Sequence, residues 1–359
     1  MTAIVTGFVV AFFFAVNIGA SGAAAAMGVA YGAGAVRRRQ AALWISGAGV
    51  FAGAALGGGE VVRTIGSGIV PEWIMTVQLA VLILAAACSS LFIANRLGIP
   101  LSTSEVTVGS VVGAGVALQK VYWSHLAGII AFWLLVPLTA FLLAFVTGKA
   151  VIAAEHRFPA IRKGNRSRWL ALLLVGTGFL EAFAAGMNNV ANAVGPLVGA
   201  GLLTVSEGIL YGGFFVALGS ILLGGRVLET NGKRITNLSM VEGSAVSGTG
   251  AMLVAGASLI GIPVPLTQVT TSAIIGVGTA RKGFSLWQQN VVKQLLQVWV
   301  VSPVFSLVIA YGLVEGLVRG DFYSVIAVTS VFLATLGSIS LIQTVRREKR
   351  SLHEHGGGI

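Results

Sequence analysis

Asn188, Asn189 and Asn192 stand in a window otherwise built of Gly, Ala, Met and Val. A second polar cluster, Ser102, Thr103, Ser104 and Glu105, follows Pro100, and Thr267 and Gln268 follow Pro265 in the same manner. Ser21 and Gly22 lie in a run of small residues from Gly19 to Gly28. Amides and hydroxyls are donors without net charge. Proline lacks an N–H and disfavours helix in the residue before it, so Pro100 marks the start of a helix. Free backbone N–H groups at such a start, with the positive end of the helix dipole, bind anions. The chemistry these residues can perform together is the binding of an anion. Taken singly, Ser102 and Ser104 read equally as N-caps, and the amides as glue between helices.

Two carboxylates belong to the same stretches. Glu105 follows Ser104 directly, and Glu181 precedes Asn188 by two helical turns. Carboxylates at membrane depth are costly and functional by default, so either is a candidate for carrying a proton. Asn17, Asn192 and Gln268 complete the coupling-ion candidates. A base such as Lys293 could instead pair with a buried carboxylate. No nucleophile–base pair or metal-ligand set accompanies them, so no enzyme chemistry and no cofactor is implied. His125, His156, His353 and His355 fall in expected loops or the tail, and Cys88 is the only cysteine.

The elements that position these groups are apolar. The chain has 359 residues, of which 56% are hydrophobic and 10% charged, and its mean hydropathy is +0.91. A soluble domain carries about 25% charged residues. Apolar segments fall near 2–34, 41–57, 74–94, 99–118, 122–148, 169–200, 206–223, 240–260, 263–280, 288–312 and 322–345. This predicts an all-α polytopic protein in a lipid bilayer with about eleven crossings. The net charge of +11 does not indicate nucleic acid, because the basic residues sit at segment ends. With the N-terminus outside and the C-terminus cytoplasmic, only Arg63, Lys120 and Arg319 stay outside, as the positive-inside rule requires. The apolar N-terminus lacks the basic start of a signal peptide and reads as the first membrane helix.

The chain repeats itself. Gly19 pairs with Gly186, the block Gly58–Gly66 with Gly224–Gly232, Gly98–Thr107 with Gly261–Thr270, and Trp133 and Pro137 with Trp299 and Pro303. The blocks keep one order and nearly one spacing, so the expectation is a first repeat over 1–150 and a second, inverted repeat over 169–318. A basic cytoplasmic linker over 151–168 joins them. An additional helix over 319–345 and a tail over 346–359 follow. Glu60/Arg63 and Arg226/Glu229 form mirrored charge pairs. Polar interruptions in corresponding halves predict broken or re-entrant helices, with the site at the repeat interface near the bilayer midplane.

At these residues the chain resembles the inorganic phosphate transporter family. The family signature Gly-Ala-Asn-Asp-Val-Ala-Asn is similar to Gly186-Met187-Asn188-Asn189-Val190-Ala191-Asn192, with Asn189 in place of Asp. Its first copy, Gly19 to Ala25, has Gly22 in place of Asp. The family's Pro-Val-Ser-Thr-Thr-His is similar to Pro100 to Glu105, with Glu105 in place of His. The resemblance implies an anion site built from these blocks, with Ser21, Gly22, Ser102, Thr103, Ser104, Asn188, Asn189 and Thr267 as its residues. In the family the Asp/Asn pairs hold sodium. Asn17 to Ala24 is similar to the pattern of a sulfate-permease branch.

Loss of both aspartates weakens a sodium site and removes charges that would repel a dianion. The expectation is therefore a bacterial inner-membrane transporter importing sulfate or a related oxyanion by alternating access, with a coupling proton rather than sodium. Phosphate transport and an anion channel are the alternatives, and a homodimer is left open.

Overall fold

The computed structural model describes residues 1–97, 101–157, 168–234, 238–283 and 290–333. The Gly98-Ile99-Pro100 segment, residues 158–167 of the expected linker and residues 334–359 lie outside them. Among the described residues all regular structure is helical. The helices are α1 (Thr2–Ile18), α2 (Gly28–Gly32), α3 (Arg39–Gly57), α4 (Gly59–Arg63), α5 (Val77–Leu97), α6 (Thr103–Ala117) and α7 (Trp123–Arg157). They continue with α8 (Arg168–Gly199), α9 (Val205–Leu223), α10 (Gly225–Arg234), α11 (Met240–Leu259), α12 (Leu266–Lys282) and α13 (Asn290–Val314). A short apolar helix, α14, covers Phe322–Leu333.

Among the described residues seven helical stretches are long and apolar enough to cross a membrane. By contrast α6 has 15 residues and α12 has 17. At 1.5 Å per residue they reach about 22 and 25 Å, short of a hydrocarbon core of about 30 Å. Both begin at the polar blocks after the prolines, which places helix N-termini inside the molecule.

Glycines set the closest crossings. A Cβ on Gly19 would collide with the backbone of Val216, and one on Gly219 with that of Val16. A Cβ on Gly186 would collide with the backbone of Val50, and one on Gly53 with that of Phe183. Thus α1 crosses α9 through the same positions by which α8 crosses α3, displaced by 166 or 167 residues. Gly113 on α6 meets the Leu307 backbone, and its counterpart Gly276 on α12 meets Phe141. Small residues permit such approach between membrane helices.

The two polar interruptions differ. In the first, α1 passes into a π-helical turn at Gly19–Ala23 and ends in a turn at Ala26 and Met27 before α2. The Ser46 hydroxyl donates to the Ala23 carbonyl at 2.7 Å, satisfying backbone at the break. In the second, the expected break is corrected: α8 runs unbroken through all three amides and Pro196 to Gly199. The glycines there serve the crossings with α3 and with the Thr64–Gly68 π turn, where Gly195 meets Ile65 and Gly199 meets Gly66. An amide side chain can project from a continuous helix without disturbing it.

The mirrored charge pairs are also half realised. Arg63 binds Glu60 at 2.7 Å, while Glu229 pairs with Arg39 at 3.4 Å rather than with Arg226. Arg39 is nearer because α10 folds back over the start of α3, where the Arg39 guanidinium lies over Gly225. His125 and His156 stand in the first and last turns of α7 rather than in loops. Cys88 is partly buried against the core.

Candidate anion site

The two short helices and the two repeated stretches converge on a cavity of about 270 Å3. Its wall includes Ser21 and Gly22 from the π turn, Ser102 and Thr103 from the start of α6, Asn189 and Glu181 from α8, and Thr267 and Thr270 from α12. It continues past Ala25 and Ala26 to Val29 on α2 and Val227 on α10. Six of the eight expected anion residues therefore line one cavity.

Ser102 occupies the N-cap position of α6, with extended backbone, but makes no side-chain cap hydrogen bond. The simple capping role is therefore not taken, and its hydroxyl belongs to the cavity wall. Likewise α12 starts after Pro265 with no side-chain cap. The N–H groups that open both helices thus have no capping side chain, and both N-terminal ends contribute to the wall. This suits an anion.

Asn188 and Ser104, the other two, stand just behind the wall. Ser104 Oγ donates to Asn188 Oδ1 at 3.1 Å, and Asn188 Nδ2 donates to Ser258 Oγ at 3.0 Å and to the Ile262 carbonyl at 3.4 Å. Asn192 Nδ2 lies 3.3 Å from Ser104 Oγ and 3.4 Å from both Thr103 Oγ1 and Asn189 Oδ1. Thr103 Oγ1 also lies 3.4 Å from Asn189 Oδ1. The amides of α8 therefore orient the hydroxyls of α6 in one buried network, which rigidifies a polar core when its members are satisfied.

Positions that correspond by sequence spacing meet face to face. Gln268 Nε2 donates to Glu105 Oε1, and these residues are 163 apart, the spacing of their blocks. A Cβ on Gly22 would stand 3.4 Å from Asn189 Nδ2, and these residues correspond at a spacing of 167.

The carboxylates have different surroundings. Glu105 is 1% exposed and off the cavity wall, with the Ser302 hydroxyl beside its carboxyl group. Glu181 is 2% exposed, lines the cavity, and accepts from Thr270 Oγ1 at 2.8 Å. The pairing of either with Lys293 falls on a side chain outside those described. Asn17 is not brought in: its Nδ2 donates to the Phe13 carbonyl one turn back, at 2.8 Å. Reading the sequence alone missed Thr270 and Thr271, which extend the polar wall along α12. The signal was present, since both follow Thr267 at helical spacing.

Among the described residues no Lys, Arg or His lines this cavity. A dianion here would be held by dipoles and neutral donors.

Residues 18–310 match the phosphate transporter family. The chain is 54% identical to the sulfate permease CysP of Bacillus subtilis, over 97% of each chain. It is 30% identical to the putative phosphate permease PYRAB14010 of Pyrococcus abyssi, over 82% of this chain and 93% of that one. Among solved structures, the sodium-dependent phosphate transporter superposes with a TM-score of 0.74 at 24% identity, covering 87% of this chain and 98% of that one, a likeness of fold.

Proposed function

The chain belongs to the phosphate transporter family, and from that premise we propose that it imports sulfate across the bacterial plasma membrane as a secondary transporter. The observation that carries the reading is the cavity itself. Two helix N-termini, six hydroxyl side chains and an amide converge on it, and no aspartate stands at either signature position, Gly22 or Asn189. Sulfate at neutral pH has no proton to donate, so a site of donors suits it. Hydrogen phosphate can donate to a carboxylate, which this pair of positions lacks. The similarity to a protein named sulfate permease favours the same anion.

The two halves, residues 1–150 and 169–318, act as inverted repeats that alternate access to the site. The matched glycine crossings and the facing pairs Glu105–Gln268 and Gly22–Asn189 support this. The linker over 151–168 is cytoplasmic, 319–345 is an added crossing and 346–359 a cytoplasmic tail, which makes about eleven segments. Contacts between helix ends sort them onto two faces, and the positive-inside rule puts the N-terminus outside. Arg39 meets Glu229, and Arg281 meets Glu155 and Glu242, all at ends assigned inside. Ala117 meets Arg319, and Lys120 lies over Trp73, at ends assigned outside. The cavity extends toward the inner set, through Val29 and Val227, which supports an inward-facing conformation.

Moving a dianion inward against the membrane potential costs about 2.3 kcal/mol per charge per 100 mV, so a co-transported cation is required. Protons serve here, because the positions that carry sodium-binding aspartates in the resembling family are neutral. The test is sulfate counterflow in proteoliposomes with unlabelled competitors. Sulfate should compete at least tenfold better than phosphate. Equal or better competition by phosphate would refute the sulfate assignment, and conductance without accumulation would refute a transporter.

A further inference from the structure

Among the described residues that line the anion cavity, Glu181 alone carries an ionisable side chain. It lies on α8, about two helical turns before Asn189, so one rigid helix carries a carboxylate at one end of the cavity and an anion donor at the other. Its Oε1 takes a hydrogen bond from Thr270 Oγ1 at 2.8 Å. Gly250 on α11 leaves the approach free of a side chain, since even a Cβ there would stand 3.4 Å from Oε1. Ser247, one turn before Gly250, places its buried hydroxyl beside the Glu181 carboxyl group.

The charged groups on the helices around α8 are engaged elsewhere. Arg39 is paired with Glu229, Arg63 with Glu60, and Glu242 with Arg281. Glu207 on α9 is held in a capping box with Thr204, and Glu105 on α6 faces Gln268. Neither these nor Tyr31 and Cys88 line the cavity.

We propose that Glu181 is the proton-carrying group of the transport cycle, while Glu105 is locked against Gln268 as a fixed contact between the halves. The inference rests on the sulfate reading above. A proton taken from water adds to a Glu181 carboxylate oxygen, travels as the O–H of the acid, and returns to water on the other side. A carboxylate and a dianion in one cavity repel each other, so sulfate and the proton each favour binding of the other, as linkage requires. Among the described residues no other lining side chain can exchange a proton in this way.

The test uses the full chain in liposomes with labelled sulfate, in two assays. One measures sulfate–sulfate exchange, and the other measures net accumulation driven by an inward gradient of about one pH unit, worth about tenfold for each coupled proton. For Glu181→Gln the expected result is exchange that persists but no longer varies with pH, with accumulation about tenfold lower. Glu181→Asp should regain part of the driven accumulation. Wild-type accumulation and pH profile in Glu181→Gln would overturn the proposal. Loss of exchange together with accumulation would also overturn it, by assigning Glu181 to the fold or the anion. If the wild-type protein exchanges no sulfate, the sulfate reading fails instead.

Discussion

Gly22→Asp returns a carboxylate to a cavity that lacks one at that position. The new side chain would start 3.4 Å from Asn189 Nδ2 and enter the space beside Ser21 and Ser102. A carboxylate on the wall of so small a cavity stands about 6 Å from an anion at its centre, and at an effective dielectric constant of about 20 it repels a dianion by about 5 kcal/mol. Water in the cavity reduces this, and half of it still corresponds to about a hundredfold in affinity. The half-saturating sulfate concentration in counterflow should therefore rise at least a hundredfold. Acidification that protonates the new group should bring part of the affinity back. Adding Asn189→Asp should abolish sulfate transport. Normal sulfate affinity in Gly22→Asp, with the protein folded and inserted, would mean that the anion binds away from this cavity.

Asn188→Ala removes the partner of Ser104 Oγ and the donor to the Ile262 carbonyl, both buried; a loss of about 2 to 4 kcal/mol is expected, read as a lower melting midpoint in detergent. Gly53→Leu drives a side chain into the Phe183 backbone and should cost about 3 kcal/mol or more because backbone cannot yield; unchanged melting would refute the close α3–α8 crossing. Asp321 caps α14: the Ser324 hydroxyl and N–H donate to its carboxylate at 2.6 and 3.1 Å, which holds its pKa below the usual 3.8. A lowered pKa in the folded state stabilises above the unfolded value and is lost as pH falls through the folded one. Protection of the amides over 322–333, taken relative to the unfolded-chain exchange rate at each pH, should therefore fall below about pH 4, and Asp321→Asn should flatten that dependence.

Much of the site was legible because its chemistry is local in sequence. Prolines at 100 and 265 announce the starts of α6 and α12, and the hydroxyls that follow reach the cavity together with Asn189. The paired spacing of the blocks put Glu105 and Gln268 at corresponding positions, but their contact emerges only in the fold. What the sequence could not settle was the role of glycine. Gly186 and Gly195 read as helix breakers, yet they are packing surfaces inside an unbroken helix, because a glycine's purpose depends on what lies across from it. The partner of Glu229 was missed for a related reason. A charge three residues away is always visible in a sequence, whereas Arg39 arrives only through the folding of α10 onto α3. Asn17 looked equivalent to the other amides but spends its donor on its own helix.

The central claim is that a tetrahedral dianion sits between the starts of α6 and α12. Selenate has the shape and charge of sulfate and scatters anomalously, so crystals grown with it locate the site directly. The expected result is one strong selenium peak within hydrogen-bonding distance of Thr103, Asn189 and Thr267, displaced by excess sulfate. A peak elsewhere that sulfate displaces, with this cavity empty, would contradict the account.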